Sequence, residues 1–412
     1  MNKKEVERLL KLNHEQSIRS AAEKLSKVLR PTPLVASDFY SAEYGAAVYI
    51  KPEHLQTTGS FKIRGAYNKI ANLDKAQAKK GVIASSAGNH AQGVAYSAQL
   101  RGIRSTIVMP QTTPLIKVDA TKAFGAQVIL HGDVYDESFA KAIELTEEYG
   151  YVFVHPFDDY DVICGQGTVG LEILEELPDA DEILVPVGGG GLLAGIALIA
   201  KAVNPRVKII GVEPKGAMSM RAALKEGAVT SLSTVKTNAE GVAVRRVGDL
   251  TFAIAQDYVD DMVSVSEKDI MENVLLTMEK HKFVAETAGV VPLAALRKRA
   301  RTGRKIVCVM SGGNIDTVTI SSIINEGMIS RGRIMCFSVE LPDRPGQLVK
   351  VATLLAENNA NVIELEHNQF KALDRYSNKV VLEVTVETNG KDHIEQILDA
   401  LTDADFSIQR IY

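Results

Sequence analysis

Apolar, β-branched runs that alternate with helical stretches most strongly constrain the fold of this chain. The runs are Gly81–Ile83, Ser105–Met109, Gln127–Leu130, Ile183–Val187, Val207–Val212 and Lys305–Met310. Short continuous apolar runs suit strands that are buried on both faces, and their alternation with helices is typical of parallel sheets. The sequence therefore predicts an α/β, doubly wound architecture.

A lysine and a glycine run are the first candidates for chemistry. Lys62 lies in an apolar, small-residue stretch, Ser60–Ala66 (SFKIRGA), where partial burial would lower the pKa of its amine and favour a Schiff base. The run Gly188–Gly191 lies between a predicted strand and the apolar stretch Leu192–Val203, so its N–H groups could bind phosphate at a helix N-terminus. Taken singly, such a lysine is more often a surface charge and such a glycine turn more often an ordinary connection.

Together the two features suit an aldehyde cofactor that carries a phosphate, and pyridoxal 5'-phosphate fits that description. The glycine run shows neither the dinucleotide fingerprint nor the Lys-Ser/Thr pair of a P-loop, which favours a phosphate that is not part of a nucleotide. Two polar segments, Ser85–Gly93 and Ser311–Asn314, could contact the ring of the cofactor. Either segment alone could equally be a helix cap or a turn.

Four motifs in this order, SFKIRGA, SSAGNHAQGVA, PVGGGGLLAGIA and SGGNID, resemble those of the fold-type II pyridoxal phosphate enzymes and specifically the threonine dehydratases. The resemblance covers nearly all of residues 15–325. It implies a catalytic domain over residues 1–325 made of two doubly wound α/β domains. The smaller one is inserted at about residues 54–155, and the cofactor lies in the cleft between them.

The resemblance also implies a role for each motif. Lys62 would form the Schiff base and act as the catalytic base, with Phe61 and Asn89 against the ring and its 3'-hydroxyl. Ser311 would meet the pyridine nitrogen. The phosphate would be held by Gly188, Gly189, Gly190, Gly191 and Leu192. The substrate carboxylate would be bound by Ser86, Ala87, Gly88, Asn89 and His90.

The implied reaction is β-elimination from L-threonine to 2-oxobutanoate and ammonia, with L-serine giving pyruvate as a side activity. Serine racemases carry a serine where this chain has Ala87, so dehydration is favoured over racemisation. Cysteine synthases typically show Thr-Ser-Gly-Asn-Thr-Gly where this chain has Ser86–Ala91, which disfavours β-replacement. A serine dehydratase, a degradative enzyme and an amino-acid-sensing non-enzyme remain the alternatives, and the intact Lys62 and Ser311 disfavour the last.

No metal site is predicted. The divalent-metal site of serine racemases matches Glu213 and the Ala217 carbonyl, but Ser219 replaces the next carboxylate, and hard cations depend on carboxylate oxygens. The cysteines Cys164, Cys308 and Cys336 are widely spaced and suggest neither disulfides nor a zinc site. Two further positions depart from the family pattern, Glu240 in place of Asp and Glu286-Thr287 in place of Glu-Gly.

A second domain is predicted at residues 334–412, after a linker at 326–333. Its expected elements are strands over Ile334–Glu340 and Val380–Glu387 and helices over Gln347–Glu357 and His393–Leu401. The segment Pro342–Leu348 resembles the signature of ACT domains, small βαββαβ modules that bind amino acids, although a turn before a helix would need only its Pro and Gly.

The ACT-like domain implies allosteric control by an amino acid. Isoleucine is the natural effector, because 2-oxobutanoate is its precursor, and this favours a biosynthetic enzyme. Paired ACT modules bind effectors near the signature loop and the start of the next strand. The candidate effector residues are Asp343, Gly346, Gln347, Leu348 and Asn361. The chain is expected to form a dimer or tetramer.

Charge and composition exclude several other functions. A net charge of −4 without a dense Lys/Arg block disfavours a nucleic-acid surface. The charged start of the chain lacks the apolar core of a signal peptide, and glycines interrupt the most apolar stretch, so no membrane span is expected. We expect a cytoplasmic protein.

Overall fold

The computed structural model describes residue 1, residues 3–368 and residues 379–412. The chain forms two compact units, Met1–Asp316 and Thr317–Tyr412. The first unit contains two sheets surrounded by helices, and the second contains one sheet with helices.

The helices of the first unit are α1 (Lys3–Leu9), α2 (His14–Leu25), α3 (Asp38–Tyr44), α4 (Lys62–Ala71), α5 (Lys75–Lys80), α6 (Asn89–Leu100), α7 (Leu115–Ala123), α8 (Tyr135–Tyr149), α9 (Tyr160–Glu176), α10 (Gly191–Val203), α11 (Ser219–Glu226), α12 (Asp249–Tyr258), α13 (Glu267–Leu276), α14 (Val291–Ala294) and α15 (Leu296–Arg299). Short 3₁₀ turns span Glu53–Leu55 and Glu240–Val242, and a π-helical turn spans Thr277–His281.

The strands of the first unit are β1 (Val35–Ala36), β2 (Ala47–Pro52), β3 (Val82–Ser85), β4 (Ser105–Met109), β5 (Gln127–Leu130), β6 (Val152–Phe153), β7 (Glu182–Pro186), β8 (Lys208–Pro214), β9 (Asp261–Val265) and β10 (Lys305–Met310). Six of them form the large sheet, in the order β1-β2-β10-β7-β8-β9, and four form the small sheet, in the order β5-β4-β3-β6. All neighbours are parallel except β1 and β2.

The predicted α/β architecture is confirmed, and the apolar runs form strands because their sheets are covered by helices on both faces. Every residue of β3, β4 and β7 is buried. Polar or charged side chains at these positions would lose hydration without a partner, which explains the continuous apolar pattern. The strands of the small sheet all lie between residues 82 and 153, inside the range expected for the inserted domain.

Sheet order brings the predicted site motifs to one edge. Strands β2, β10 and β7 are parallel neighbours, so their carboxyl ends lie side by side. Lys62 follows β2, Ser311 follows β10, and the glycine run follows β7. Asn89 follows β3 of the small sheet in the same way. This edge is where open α/β sheets usually bind ligands.

The second unit has the βαββαβ order expected of an ACT domain. Its elements are α16 (Thr317–Ser330), β11 (Ile334–Pro342), α17 (Gln347–Glu357), β12 (Asn361–Asn368), β13 (Lys379–Glu387), α18 (Lys391–Asp403) and β14 (Ser407–Arg410). The strands form an antiparallel sheet in the order β12-β13-β11-β14. Alternate residues of β13, from Val380 to Val386, are buried in its core.

The end of α16 occupies residues 326–330 of the segment predicted as a linker. No helix in the described part of the chain is both long and apolar enough to cross a membrane.

Candidate functional site

Lys62 is held by the loop that follows β10. It is the first residue of α4, and the residue before it, Phe61, donates its backbone N–H to the Ser311 carbonyl over 3.1 Å. One residue earlier, Ser60 pairs with Gly312 as an isolated antiparallel bridge. The position of Lys62 relative to Ser311 is therefore fixed by main-chain bonds.

The amine of Lys62 is poised as a nucleophile. Its Nζ donates to the Pro156 carbonyl over 2.9 Å and lies 5.3 Å from the centre of the Phe61 ring. Burial lowers the pKa of this amine to about 8, although the nearby Glu286 carboxyl opposes the shift. A larger fraction of Lys62 is therefore neutral near pH 7 than of an ordinary surface lysine.

A buried ion network anchors the helix that begins at Lys62. Arg64 is 1% exposed, and its guanidinium donates to both oxygens of Glu53 and to both oxygens of Glu172. The amine of Lys51, which is fully buried, lies 2.7 Å from Glu172. These paired charges connect β2, α4 and α9, and the geometry of α4 depends on their being complete.

The glycine run forms a tight cradle in which each position has little room for a side chain. A Cβ atom at Gly189 would lie 2.2 Å from the Phe157 ring, and one at Gly191 would lie 3.0 Å from Phe157. Gly190 has a φ of 94°, and its Cβ would lie 2.9 Å from Thr251. The Thr251 hydroxyl donates to the Gly189 carbonyl over 2.7 Å, which turns that carbonyl toward Thr251.

The N–H groups of the same run remain available for a ligand. In the described part of the chain, the main-chain N–H groups of residues 188–192 donate no hydrogen bond. They lie at the start of α10, where the first N–H groups of a helix have no partner within it. A phosphate group fits this donor set.

The Ser86–His90 loop also ends in a helix N-terminus. It follows β3, and α6 begins at Asn89 with Gly88 as its cap, without a side-chain cap. The Ser86 hydroxyl accepts from the Gly88 N–H over 3.2 Å. A carboxylate is a suitable ligand for such a loop, for the same reason as the phosphate at α10.

The side chain of His90 is buried within the protein. It is 2% exposed, and its Nε2 donates to the Val154 carbonyl over 2.8 Å. Burial lowers the pKa of His90 to about 3, so the ring is neutral. The structure thus leaves the backbone N–H of His90, and not its ring charge, as the group able to bind a substrate carboxylate.

Asn89 belongs to a chain of hydrogen bonds that the sequence did not indicate. Its Oδ1 accepts from Asn314 Nδ2 over 2.6 Å, and Asn314 also donates to the Thr58 carbonyl over 2.8 Å. Its Nδ2 donates to Glu286 Oε1 over 2.7 Å. These hydrogen bonds connect the loop before Lys62, the loop after β10 and the start of α6.

The donor set as a whole fits a phosphorylated aldehyde. A nucleophilic lysine, a row of free N–H groups and a glycine cradle that any Cβ would fill lie at adjoining strand ends. The residues that would hold the cofactor are Lys62, Phe61, Asn89, the run 188–192 and Ser311. These assignments follow from placement and chemistry, and they stay predictions.

Other site features could not be predicted from the sequence. The Pro156 carbonyl that holds Lys62 is a backbone group, and Phe157 contributes through packing on Gly189 and Gly191. The unusual Thr287 donates its hydroxyl to the Asn238 carbonyl over 2.7 Å. Thr287 therefore connects the segment that contains Glu286 to the segment before Glu240.

The Glu213 carboxylate binds backbone N–H groups within the protein. Its carboxylate accepts from the backbone N–H groups of Met220 and Arg221 at the start of α11, over 2.7 and 3.1 Å. Burial raises its pKa to about 7. Among the described residues, no group of three or more His, Cys, Asp or Glu side chains is placed to hold a metal ion.

The candidate effector residues fall into two places. Asp343, Gly346, Gln347 and Leu348 lie between the end of β11 and the first turn of α17, and Gly346 caps α17 with a φ of 90°. Asn361 begins β12, and its partner Glu387 in β13 lies opposite Ile334, the first residue of β11.

Asn361 is therefore level with the start of β11, whereas the other four candidates follow its end. At about 3.3 Å per strand residue, these two ends are roughly 26 Å apart. One chain does not bring all five candidates together. A surface cavity of about 480 Å³ includes Gln347 and is also lined by Lys350, Glu357 and Phe406.

Two family models match the chain. The model described as pyridoxal-phosphate dependent enzyme matches residues 25–312, and the ACT domain model matches residues 334–406. The L-threonine ammonia-lyase of Thermotoga maritima is 46% identical over 383 residues, which is 93% of this chain and 95% of the relative.

A second relative is named as a biosynthetic enzyme. The biosynthetic L-threonine dehydratase of Haemophilus influenzae is 40% identical over 384 residues, covering 92% of this chain and 73% of the relative. Among solved structures, the processed form of threonine deaminase isoform 2 from Solanum lycopersicum is 40% identical, with a TM-score of 0.74 over 79% of this chain and 94% of that one.

Proposed function

Because this chain belongs to the family of pyridoxal-phosphate dependent enzymes and carries an ACT domain, we propose that it converts L-threonine to 2-oxobutanoate and ammonia. It is a threonine ammonia-lyase. L-Serine differs from threonine by one methyl group, which a pocket discriminates by only ~1 to 3 kcal/mol, so serine is expected to give pyruvate as a side reaction.

The observation that carries this proposal is the meeting of Lys62, the glycine cradle and the Asn89 loop at adjoining strand ends of the first unit. The N–H groups of residues 188–192 suit the cofactor phosphate, and the free N–H groups at the start of α6 suit the substrate carboxylate. When bound, pyridoxal 5'-phosphate supplies an electron sink that stabilises negative charge at the α-carbon of an amino acid.

The chain's own residues orient the substrate and move protons. Lys62 Nζ, held by the Pro156 carbonyl, is the base that takes the α-proton of the substrate. Ser311 is 4% exposed and is expected to meet the pyridine nitrogen. A hydroxyl there would not keep that nitrogen protonated as a carboxylate would, so the bound cofactor would be a weaker electron sink.

We further propose that the ACT domain gives feedback control and that isoleucine is its effector. The ACT match and the biosynthetic name of a relative support a role in isoleucine biosynthesis. A degradative threonine/serine dehydratase is the alternative, and indifference to isoleucine would favour it.

The separation of Asn361 from the loop at 343–348 supports a homo-oligomer. A site that uses both ends of the sheet needs two copies of the domain, with the loop of one near Asn361 of the other. The oligomer is a proposal, as is the cytoplasmic location. Sedimentation and cell fractionation test these two points.

The activity is tested with the purified full chain and a panel of substrates. L-Threonine should yield 2-oxobutanoate, L-serine should react more slowly, and D-serine should not accumulate from L-serine. O-Acetylserine with sulfide tests the cysteine-synthase alternative. A chain that makes cysteine but no 2-oxo acid would refute the lyase proposal while leaving the cofactor in place.

Regulation is tested in the same assay by adding isoleucine, with valine as a second amino acid. Isoleucine should change the rate or the threonine concentration for half-maximal rate, because the two sites are coupled. No effect of isoleucine would remove the feedback proposal and leave the catalytic one standing.

A further inference from the structure

The carboxyl group of Glu286 lies inside the candidate site, beside Asn89. Its backbone N–H donates to the Gly312 carbonyl over 3.1 Å, directly after Ser311. Its Oε1 accepts from Asn89 Nδ2 over 2.7 Å. Glu286 belongs to none of the four motifs, yet it contacts the motif that contains Gly312 and the motif that contains Asn89.

Two glycines make room for this carboxyl. A Cβ atom at Gly312 would lie 2.6 Å from Glu286 Oε1 and 3.1 Å from Asn89 Nδ2. A Cβ at Gly241 would lie 3.3 Å from the same carboxyl oxygen. The site therefore excludes side chains on two sides of Glu286 and keeps its carboxyl against the Asn89 amide.

The Asn89 amide has one orientation that satisfies both neighbours. Its Oδ1 accepts from Asn314 Nδ2, and its Nδ2 donates to Glu286. Rotating the amide by half a turn would set two NH₂ groups against each other and two oxygens against each other. In the observed orientation Asn89 Nδ2 keeps a second proton for another acceptor.

Charges of both signs face Glu286. Burial raises its pKa to about 7, the hydrogen bond from Asn89 and the cations of Lys117 and Lys62 oppose that rise, and Glu240 adds to it. Lys117 and Glu240 are themselves paired over 3.0 Å. Loss or gain of a proton at Glu286 therefore changes the charge beside Asn89 near neutral pH.

We propose that Glu286 is a positioning residue that acts through Asn89, holding its amide so that the second N–H of Nδ2 is directed to the ring oxygen of the cofactor. This inference rests on the proposed function, since it presumes that the cofactor binds beside Asn89. Glu286 itself touches neither substrate nor cofactor in this role.

A double-mutant cycle on the full chain tests whether Glu286 acts through Asn89. The dissociation constant of pyridoxal 5'-phosphate is measured by absorbance for the wild type, Glu286→Ala, Asn89→Ala and the double variant. Losing the charge-assisted bond to Asn89 should weaken cofactor binding about tenfold in Glu286→Ala. Asn89→Ala should weaken it further, and the double variant should match Asn89→Ala alone, because residues in one network are not additive.

Glu286→Gln is the matched conservative variant. Its amide oxygen can still accept from Asn89 Nδ2, so cofactor affinity should return to within about twofold of the wild type. Its side chain does not titrate. An inflection near pH 7 in the absorbance of the bound cofactor should therefore be present in the wild type and absent from Glu286→Gln.

The inference would be overturned if the fold-losses of cofactor affinity in the two single variants multiplied in the double variant, since Glu286 would then act independently of Asn89. Failure of glutamine to restore affinity, or an unchanged pH inflection in Glu286→Gln, would overturn it as well. All of these results leave the proposed function intact. A wild-type chain that takes up no cofactor would overturn both.

Discussion

The two candidate binding sites of this chain are built in different ways. In the first unit, the segments that carry Lys62, Asn89, Glu286 and Ser311 come from distant parts of the sequence and are joined by hydrogen bonds within one chain. In the second unit, the loop at 343–348 and Asn361 lie at opposite ends of one small sheet.

The difference lies in which ends of the strands carry the candidate residues, because β11 and β12 run in the same direction just as β2, β10 and β7 do. Parallel strands end at the same edge, so the loops that follow β2, β10 and β7 must meet. In the second unit, α17 returns the chain to the other edge before β12 begins, so residues on the two sides of that helix cannot meet within one domain. Loops that all follow strand ends can complete a site within one chain. A site that uses both the loop after β11 and the start of β12 needs a second copy of the domain.

The largest expected effect tests the first site at its nucleophile. Lys62→Ala removes both the Schiff-base amine and the base, and 2-oxobutanoate formation should fall at least about a thousandfold. The thermal midpoint should change little. Lys75→Ala, at an exposed lysine of α5, is the control and should keep full activity. Comparable rates for the two variants would mean that another residue does the chemistry.

The next effect contrasts the ion pairs of the two units. Arg64→Met leaves the buried carboxylate of Glu53 without its cation, and the free energy of unfolding should fall by about 3 to 5 kcal/mol. Lys379→Met removes a pair with Glu340 that is more than half exposed on both sides, and should cost less than about 1 kcal/mol. Urea unfolding measures both, and equal costs would contradict the contrast.

A third prediction, with a smaller expected effect, compares an alanine that crowds the glycine cradle with an alanine that only strains the backbone. Gly190→Ala places a Cβ against Thr251 at a φ of 94°, and should weaken cofactor binding by at least about tenfold. Gly227→Ala carries the same kind of strain, at a φ of 69°, where no atom lies within 4 Å. It should cost about 1 kcal/mol of stability and leave cofactor affinity unchanged. Loss of affinity in both would point to a general effect of strain.

The smallest effect tests whether the effector site is shared between chains. Gln347→Ala and Asn361→Ala should each raise the isoleucine concentration for half-maximal effect by roughly three- to tenfold, as expected for one lost hydrogen bond. When the two variants are co-assembled, some sites should combine two intact halves and regain the wild-type response. If no mixture regains the response, the site lies within one domain.

The sequence predicted the strands that carry a continuous apolar run and missed short or polar strands. The bounds of β4, β5 and β10 match the apolar runs, and β3, β7 and β8 differ from theirs by one or two residues. At the edge of the large sheet, β9 contains Asp261 and Ser264 and gave no such run. The two-residue strand β6 is too short to show a pattern.

The candidate site shows a similar limit. Motifs in the sequence marked Lys62 and Asn89, because local residue types already suit a Schiff base and a helix start. They could not reveal that Glu286 holds the Asn89 amide, since this contact joins residues 197 positions apart. Nor could they distinguish the His90 ring, which is buried, from its backbone N–H.

The most direct test of the central claim is to treat the purified full chain with borohydride and map the modified peptide by mass spectrometry. Reduction fixes a Schiff base between the cofactor and its lysine. We expect a phosphopyridoxyl group, which is pyridoxal phosphate less one water plus two hydrogens, on Lys62, and we expect the reduced protein no longer to form 2-oxobutanoate from L-threonine. Cofactor attached to a different lysine, or full activity after reduction at Lys62, would contradict the central claim.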